Sequence, residues 1–181
     1  TSTEKVNDQL DLAEKKILDV VKAKKTGDFR TIKDIIKKTT EDLEKLSEKK
    51  TEITGLSTGI TGLDKMTSGF HENEFIIIAA RPAMGKTAFA LNIATHVALH
   101  QEKSVIIFNM EMSAEQLATR ILSSLGQIDG TRLRTGNLLN SDWKRINEAA
   151  TQLSNSNLLI EDKPGITIGE IKSKCRRLAA S

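Results

Sequence analysis

The chain has little of what marks a secreted, disulfide-stapled or membrane-spanning protein. Cys175 is the single cysteine among 181 residues, which excludes an internal disulfide and fits a reducing cytoplasm. With no histidine near it in sequence, it reads as an inert helix residue rather than a nucleophile. No apolar run approaches the ~20 residues of a membrane span, and the N-terminus lacks a signal-peptide pattern. Histidine is equally scarce: His71 stands alone and His96 and His100 share one predicted helix, so no metal-ligand cluster forms. Tyrosine is absent and aromatics make up only 3% of the chain, while 28% is charged and 38% hydrophobic. That balance allows a core but favours long solvated helices. A net charge of +3 is too small to argue for nucleic acid by itself.

What is present is concentrated in residues 75–87. The apolar run Phe75-Ile76-Ile77-Ile78-Ala79-Ala80 leads through Arg81-Pro82-Ala83-Met84 into Gly85-Lys86-Thr87, which opens a helix. A phosphate-binding loop is built this way: successive backbone N–H groups curl around phosphate oxygens and the positive helix end faces them. Gly85 is expected to let the main chain come close where a side chain would collide. Lys86 can reach β- and γ-phosphates as a point charge, and the Thr87 hydroxyl is a hard oxygen ligand suited to Mg²⁺. The usual pattern begins with Gly, whereas Ala80 holds that place here. Ala80 falls where strand becomes loop, so the departure touches the pattern more than the chemistry.

The surrounding chain divides into three stretches: a helical linker over 1–50, a turn-rich lead-in over 51–73, and an α/β part over 74–181. In the first, Val6, Leu10, Ala13, Ile17 and Val20 recur at helical spacing, Thr26-Gly27-Asp28 interrupts, and Asp28 is placed to cap a second helix. That helix carries Phe29, Ile32, Ile36, Leu43 and Leu46 along one seam. The lead-in contains Thr54-Gly55-Leu56-Ser57-Thr58-Gly59 and Thr67-Ser68-Gly69, with Thr61-Gly62-Leu63-Asp64-Lys65-Met66 between them. From Glu74 onward, strands are expected over 75–80, 104–109 and 157–161. Helices are expected over 87–99, from the Ser113-x-x-Gln116 capping box to Leu125, from an Asn140 or Ser141 cap to Leu153, and from the Thr167-x-x-Glu170 cap toward Leu178. Alternating strand and helix means a parallel sheet covered by helices.

The second of these strands runs into Asn109-Met110-Glu111-Met112-Ser113. Glu111 therefore falls just past the C-terminal end of a strand, at the edge where ligands of open parallel sheets sit. Beside a phosphate loop, it is the candidate general base that orients water against a γ-phosphate. The competing reading is a carboxylate that complements the dipole of the helix begun at Ser113.

Arg81-Pro82-Ala83-Met84-Gly85-Lys86-Thr87-Ala88-Phe89-Ala90-Leu91-Asn92-Ile93-Ala94 resembles the phosphate loop and following helix of bacterial replicative helicases of the DnaB type. Glu111-Met112-Ser113, Leu133-Arg134-Thr135-Gly136, Lys174-Cys175-Arg176-Arg177-Leu178 and the lead-in from Thr58-Gly59 to Phe70 resemble further segments of that family, in the expected order. Ala is an accepted start to the loop there. The resemblance implies a P-loop NTPase with a RecA-like parallel sheet, here incomplete, that binds ATP and Mg²⁺. The implied nucleotide contacts are Ala83, Met84, Gly85, Lys86, Thr87, Ala88 and Arg120, with Thr87 on the metal and Lys86 and Glu111 catalytic. It further implies homo-hexameric rings moving along single-stranded DNA in the cytoplasm, with a primase and a helicase loader as partners. The family's acidic Mg²⁺ ligand, γ-phosphate sensor, arginine finger and DNA loops are expected beyond Ser181, and its N-terminal helical domain before Thr1. Two other readings share parts of this pattern: a docking module for primase or loader, and a recombinase-like ATPase.

Overall fold

The structure is a computed structural model that describes residues 31–49 and 53–179. The first expected helix, with Val6 to Val20, lies outside the described residues, as do Asp28 and Phe29. The chain separates into two compact units, Thr1–Lys50 and Thr51–Ser181. In the first, α1 spans Ile32–Lys49. It is capped by Thr31, whose Oγ1 accepts from the Asp34 backbone N–H at 3.2 Å and donates to the Asp34 carboxylate at 2.6 Å. The apolar seam of Ile32, Ile36, Leu43 and Leu46 is exposed to solvent.

The second unit begins with a lead-in that is more ordered than its turn-rich composition suggests. Leu56 and Phe70 exchange backbone hydrogen bonds at 2.7 and 2.9 Å as an isolated antiparallel bridge, closing a loop that contains α2, Thr61–Thr67. The loop is locked by a buried carboxylate. Asp64 accepts from the backbone N–H of Thr58 and from the hydroxyls of Thr58 and Ser57. Those bonds, Thr58 foremost, hold the Asp64 carboxyl below its ordinary pKa. Gly59, with φ +79°, presses on the ring of His96 so closely that a Cβ there would come within 2.5 Å of the imidazole.

The remaining elements are α3 (Lys86–His100), β1 (Val105–Phe108), α4 (Ala114–Leu125), α5 (Gly130–Thr135), α6 (Asn140–Ser154), β2 (Leu158–Glu161) and α7 (Ile168–Ala179). β1 and β2 pair in parallel, Val105 opposite Leu158 through Phe108 opposite Glu161. Leu91, Leu117 and Ile121 are the buried centre, joined by Ile107, Met112, Leu153, Leu158 and Ile160 from the sheet and neighbouring elements. α3 packs on both strands and on α4, and α4 packs on α5 and α6.

Local sequence explains most of these boundaries. Ser113 and Gln116 form the expected capping box of α4, with reciprocal bonds at 3.4 and 3.3 Å. α7 starts with Thr167 and Glu170 bonded in the same manner. The Glu170 carboxyl is lowered to about 2, first by the ammonium of Lys163 and then by the N–H and hydroxyl of Thr167. α6 departs from expectation. Its cap is neither Asn140 nor Ser141 but Leu139, whose backbone N–H is met at 3.0 Å by the carboxylate of Asp142 reaching back. The short helix α5 carries no apolar periodicity of its own; it starts because Asp129 accepts from the N–H groups of Thr131 and Arg132.

The largest correction concerns residues 75–80, expected as a strand buried on both faces. They form no strand, and Phe75 and Ile77 are 89% and 73% exposed. An apolar run becomes a central strand only where neighbouring strands take up its N–H and C=O groups on both sides. Among the described residues the two strands pair with each other, and this segment has no ladder partner. It still alternates as a strand would. Ile76 and Ile78 face a cavity beside β1, while Ile77 and Ala79 line one beside α2 and Phe70.

Candidate nucleotide site

The turn between the apolar segment and α3 is tight. Met84 N–H donates to the Arg81 carbonyl at 3.3 Å, and the two φ angles that turn the chain into the helix are positive: Ala83 at +66° and Gly85 at +84°. The expected reason for Gly85 changes accordingly. A Cβ there would meet nothing within 4 Å, so within the chain itself conformation, not crowding, demands glycine. Gly85 is the N-cap of α3, and no side chain caps that helix end. The first-turn N–H groups are thus left to an outside acceptor.

Glu111 is positioned from the opposite side. Asn109 follows β1 directly, and its backbone N–H donates to the Glu161 carbonyl at 2.9 Å, prolonging the parallel pairing. Its side chain then shapes the next turn. Asn109 Oδ1 accepts from the Glu111 backbone N–H at 3.2 Å, and Nδ2 donates to the Met112 carbonyl at 3.1 Å. Asp162, just past β2, accepts from the Ala114 N–H at 2.8 Å. The start of α4 therefore has its own carboxylate, which weakens the reading of Glu111 as a mere dipole partner.

Lys86, Thr87 and Glu111 line one cavity of about 510 Å³, with Ile76, Ile78 and Asn109 among its walls. A volume of this size suits a small ligand. Among the described residues, neither the Lys86 ammonium nor the Glu111 carboxylate has a hydrogen-bonding or ion-pairing partner. A cation, a hydroxyl and a helix start with free N–H groups are the donor set a phosphate chain requires, and Thr87 supplies a hard oxygen for a divalent cation. The residues present therefore fit ATP and Mg²⁺. Ala83 and Met84 stand in the turn itself. Ala88 and Arg120 are placed elsewhere: both line a second cavity, on the side of α3 that faces α4 and α5. Sequence spacing did not reveal that separation, because it depends on how α3 is rotated against α4.

A parallel strand pair, a glycine-turned loop entering a helix and an acidic residue past the neighbouring strand define a P-loop domain of RecA-like type. The chain belongs to the family described as the DnaB-like helicase C terminal domain, whose model matches residues 55–181. It is 50% identical over 178 residues to the replicative DNA helicase DnaC of Bacillus subtilis (strain 168), covering 98% of this chain and 39% of that protein. The chain thus spans about two fifths of that relative's length. Among solved structures it resembles a helicase-family ATPase domain, with a TM-score of 0.76 and 33% identity over 83% of this chain and 52% of that one. A DnaB-like replicative helicase described with its interactions with primase gives a TM-score of 0.71 at 32% identity, over 89% of this chain and 38% of that one. The recombinase-like reading thereby gives way to the helicase family. No described helix is long and apolar enough to cross a membrane.

Proposed function

We propose that this chain is part of the motor of a replicative DNA helicase and contributes an ATP-hydrolysing site. The observation that carries the reading is the meeting of Lys86, Thr87 and Glu111 on one cavity at the C-terminal edge of β1. Family membership and the 50% identity to a replicative helicase support it.

In this reading the Lys86 ammonium offsets the charge of the β- and γ-phosphates, and the N–H groups at the start of α3 bind phosphate oxygens. Mg²⁺, held in part by the Thr87 hydroxyl, neutralises charge on the phosphates. The Glu111 carboxylate accepts a proton from a water held in line with the γ-phosphorus. Ala88 and Arg120 are given no step in this chemistry. The motor works as a ring of six copies on single-stranded DNA, and primase and a helicase loader are its partners. The exposed apolar seam of α1 supports assembly through that helix.

The test is Lys86→Ala in the complete protein, which should abolish ATP hydrolysis. Undiminished turnover would overturn the reading of the loop.

A further inference from the structure

The second cavity, on the α4 side of α3, has a chemistry of its own. It encloses about 970 Å³, and its lining includes Arg120 of α4, Arg134 of α5, and the side chains of Asn92, Gln116, Thr119 and Thr131; no carboxylate is among its walls. The arginines of α4, α5 and α6 differ in how they are used. Arg132 pairs with the buried carboxylate of Asp142 at 3.3 Å, and Arg145 donates to the Gln127 carbonyl at 3.3 Å. Among the described residues Arg120 and Arg134, the two that line the cavity, have neither an ion-pair nor a hydrogen-bond partner. The Asn92 carbonyl oxygen is occupied by the Ser124 hydroxyl at 2.9 Å, which leaves the amide hydrogens of Asn92 as donors.

Two unpaired guanidiniums set among hydroxyls and amides, with no acid near, make a concave site for an anion larger than a single carboxylate. The guanidinium fork matches phosphate oxygens two at a time, and the volume lies in the range of small-molecule sites. We propose that this cavity binds a polyphosphate, free or carried by a nucleotide, bridging Arg120 and Arg134 across α4 and α5. It is a second anion site, separated by α3 from the cavity of Lys86 and Glu111. An anion held there ties α4 to α5 beside the helix whose first turn forms the phosphate loop.

Titration calorimetry with inorganic pyrophosphate on the full chain carrying Lys86→Ala tests this, because that substitution disables the phosphate loop and leaves the second cavity intact. One equivalent should bind per chain. Arg120→Ala and Arg134→Ala should each weaken it by about tenfold or more, the loss expected for one charge-assisted contact. Arg134→Lys, which keeps the charge but not the fork, should weaken it less. Arg176→Ala, which removes the same charge from α7, should leave it unchanged. ATP should displace the pyrophosphate, whereas a single-stranded oligonucleotide should not. Absence of binding to the Lys86→Ala chain, an equal loss with Arg176→Ala, or displacement by the oligonucleotide would each overturn the proposal. Circular dichroism confirms that every variant is folded.

Discussion

Asp64 accepts both polar hydrogens of Thr58, the backbone N–H at 2.8 Å and the hydroxyl at 2.7 Å, and the two residues are 2% and 1% exposed. Removing the carboxylate strands two buried donors, which costs more than the bonds themselves contributed. Asp64→Ala should therefore lower the melting temperature of the second unit by roughly 5–10 °C. The effect should depend on acid. The folded carboxyl titrates below its ordinary 3.8, with the Thr58 hydrogen bonds as the main cause. Its contribution is thus complete above that ordinary value and is lost as pH falls through the lower, folded one. Melting curves of wild type and Asp64→Ala should converge below about pH 3.8 and stay apart at neutral pH.

Glu111 should matter to turnover and not to binding, since a group that accepts a proton from attacking water acts in the transition state. In the complete protein, Glu111→Gln should retain ATP affinity and lose on the order of 10²–10⁴ in kcat. A parallel loss of affinity and rate would assign Glu111 to the architecture of the turn.

Gly59 touches the helix that begins at the phosphate loop. Gly59→Ala places a Cβ against the His96 ring and keeps a residue at φ +79°, so it should destabilise the fold by at least about 1 kcal/mol. Pairing it with His96→Ala in a double-mutant cycle separates the two causes. The crowding part should be recovered and the backbone part should persist. Full additivity would show that His96 is not what Gly59 accommodates.

The α1 seam is predicted to act between subunits. Ile32→Asp with Ile36→Asp places charge on positions that are 69% and 58% exposed, so an isolated chain should tolerate the pair. Sedimentation should nevertheless show weakened assembly of the complete protein, with the motor domain still folded. An unchanged oligomer would assign the seam to contacts within its own subunit.

Features set by neighbours in sequence were legible from the start. The boxes Ser113-x-x-Gln116 and Thr167-x-x-Glu170 and the apolar cores of β1 and β2 are local patterns with local causes. The strand expected over 75–80 failed because strand identity is a property of pairs: four consecutive large apolar residues state a demand for partners without supplying them. The buried carboxylate of Asp64 escaped notice because a lone acid in a turn-rich stretch looks solvated until Thr58 folds over it. α5 is too short to show periodicity, although Asp129 before it and Gly136 after it are ordinary boundary residues. At the site, the loop and the end of β1 were enough to bring Lys86, Thr87 and Glu111 together. The displacement of Arg120 to another cavity follows from helix rotation, which spacing along the chain does not encode.

The bond from the Asn109 N–H to the Glu161 carbonyl also sets an order of events during synthesis. α4, α5 and α6 lie between the two halves of the parallel pair, so β1 leaves the ribosome well before its partner exists. Until Glu161 has been made, the turn that carries Glu111 lacks its anchor, whereas the loop around Lys86 needs only its own residues to turn. Long-range pairings of this kind are slow to close. A nascent chain should therefore gain the shape to grip phosphate before it gains the means to cleave it.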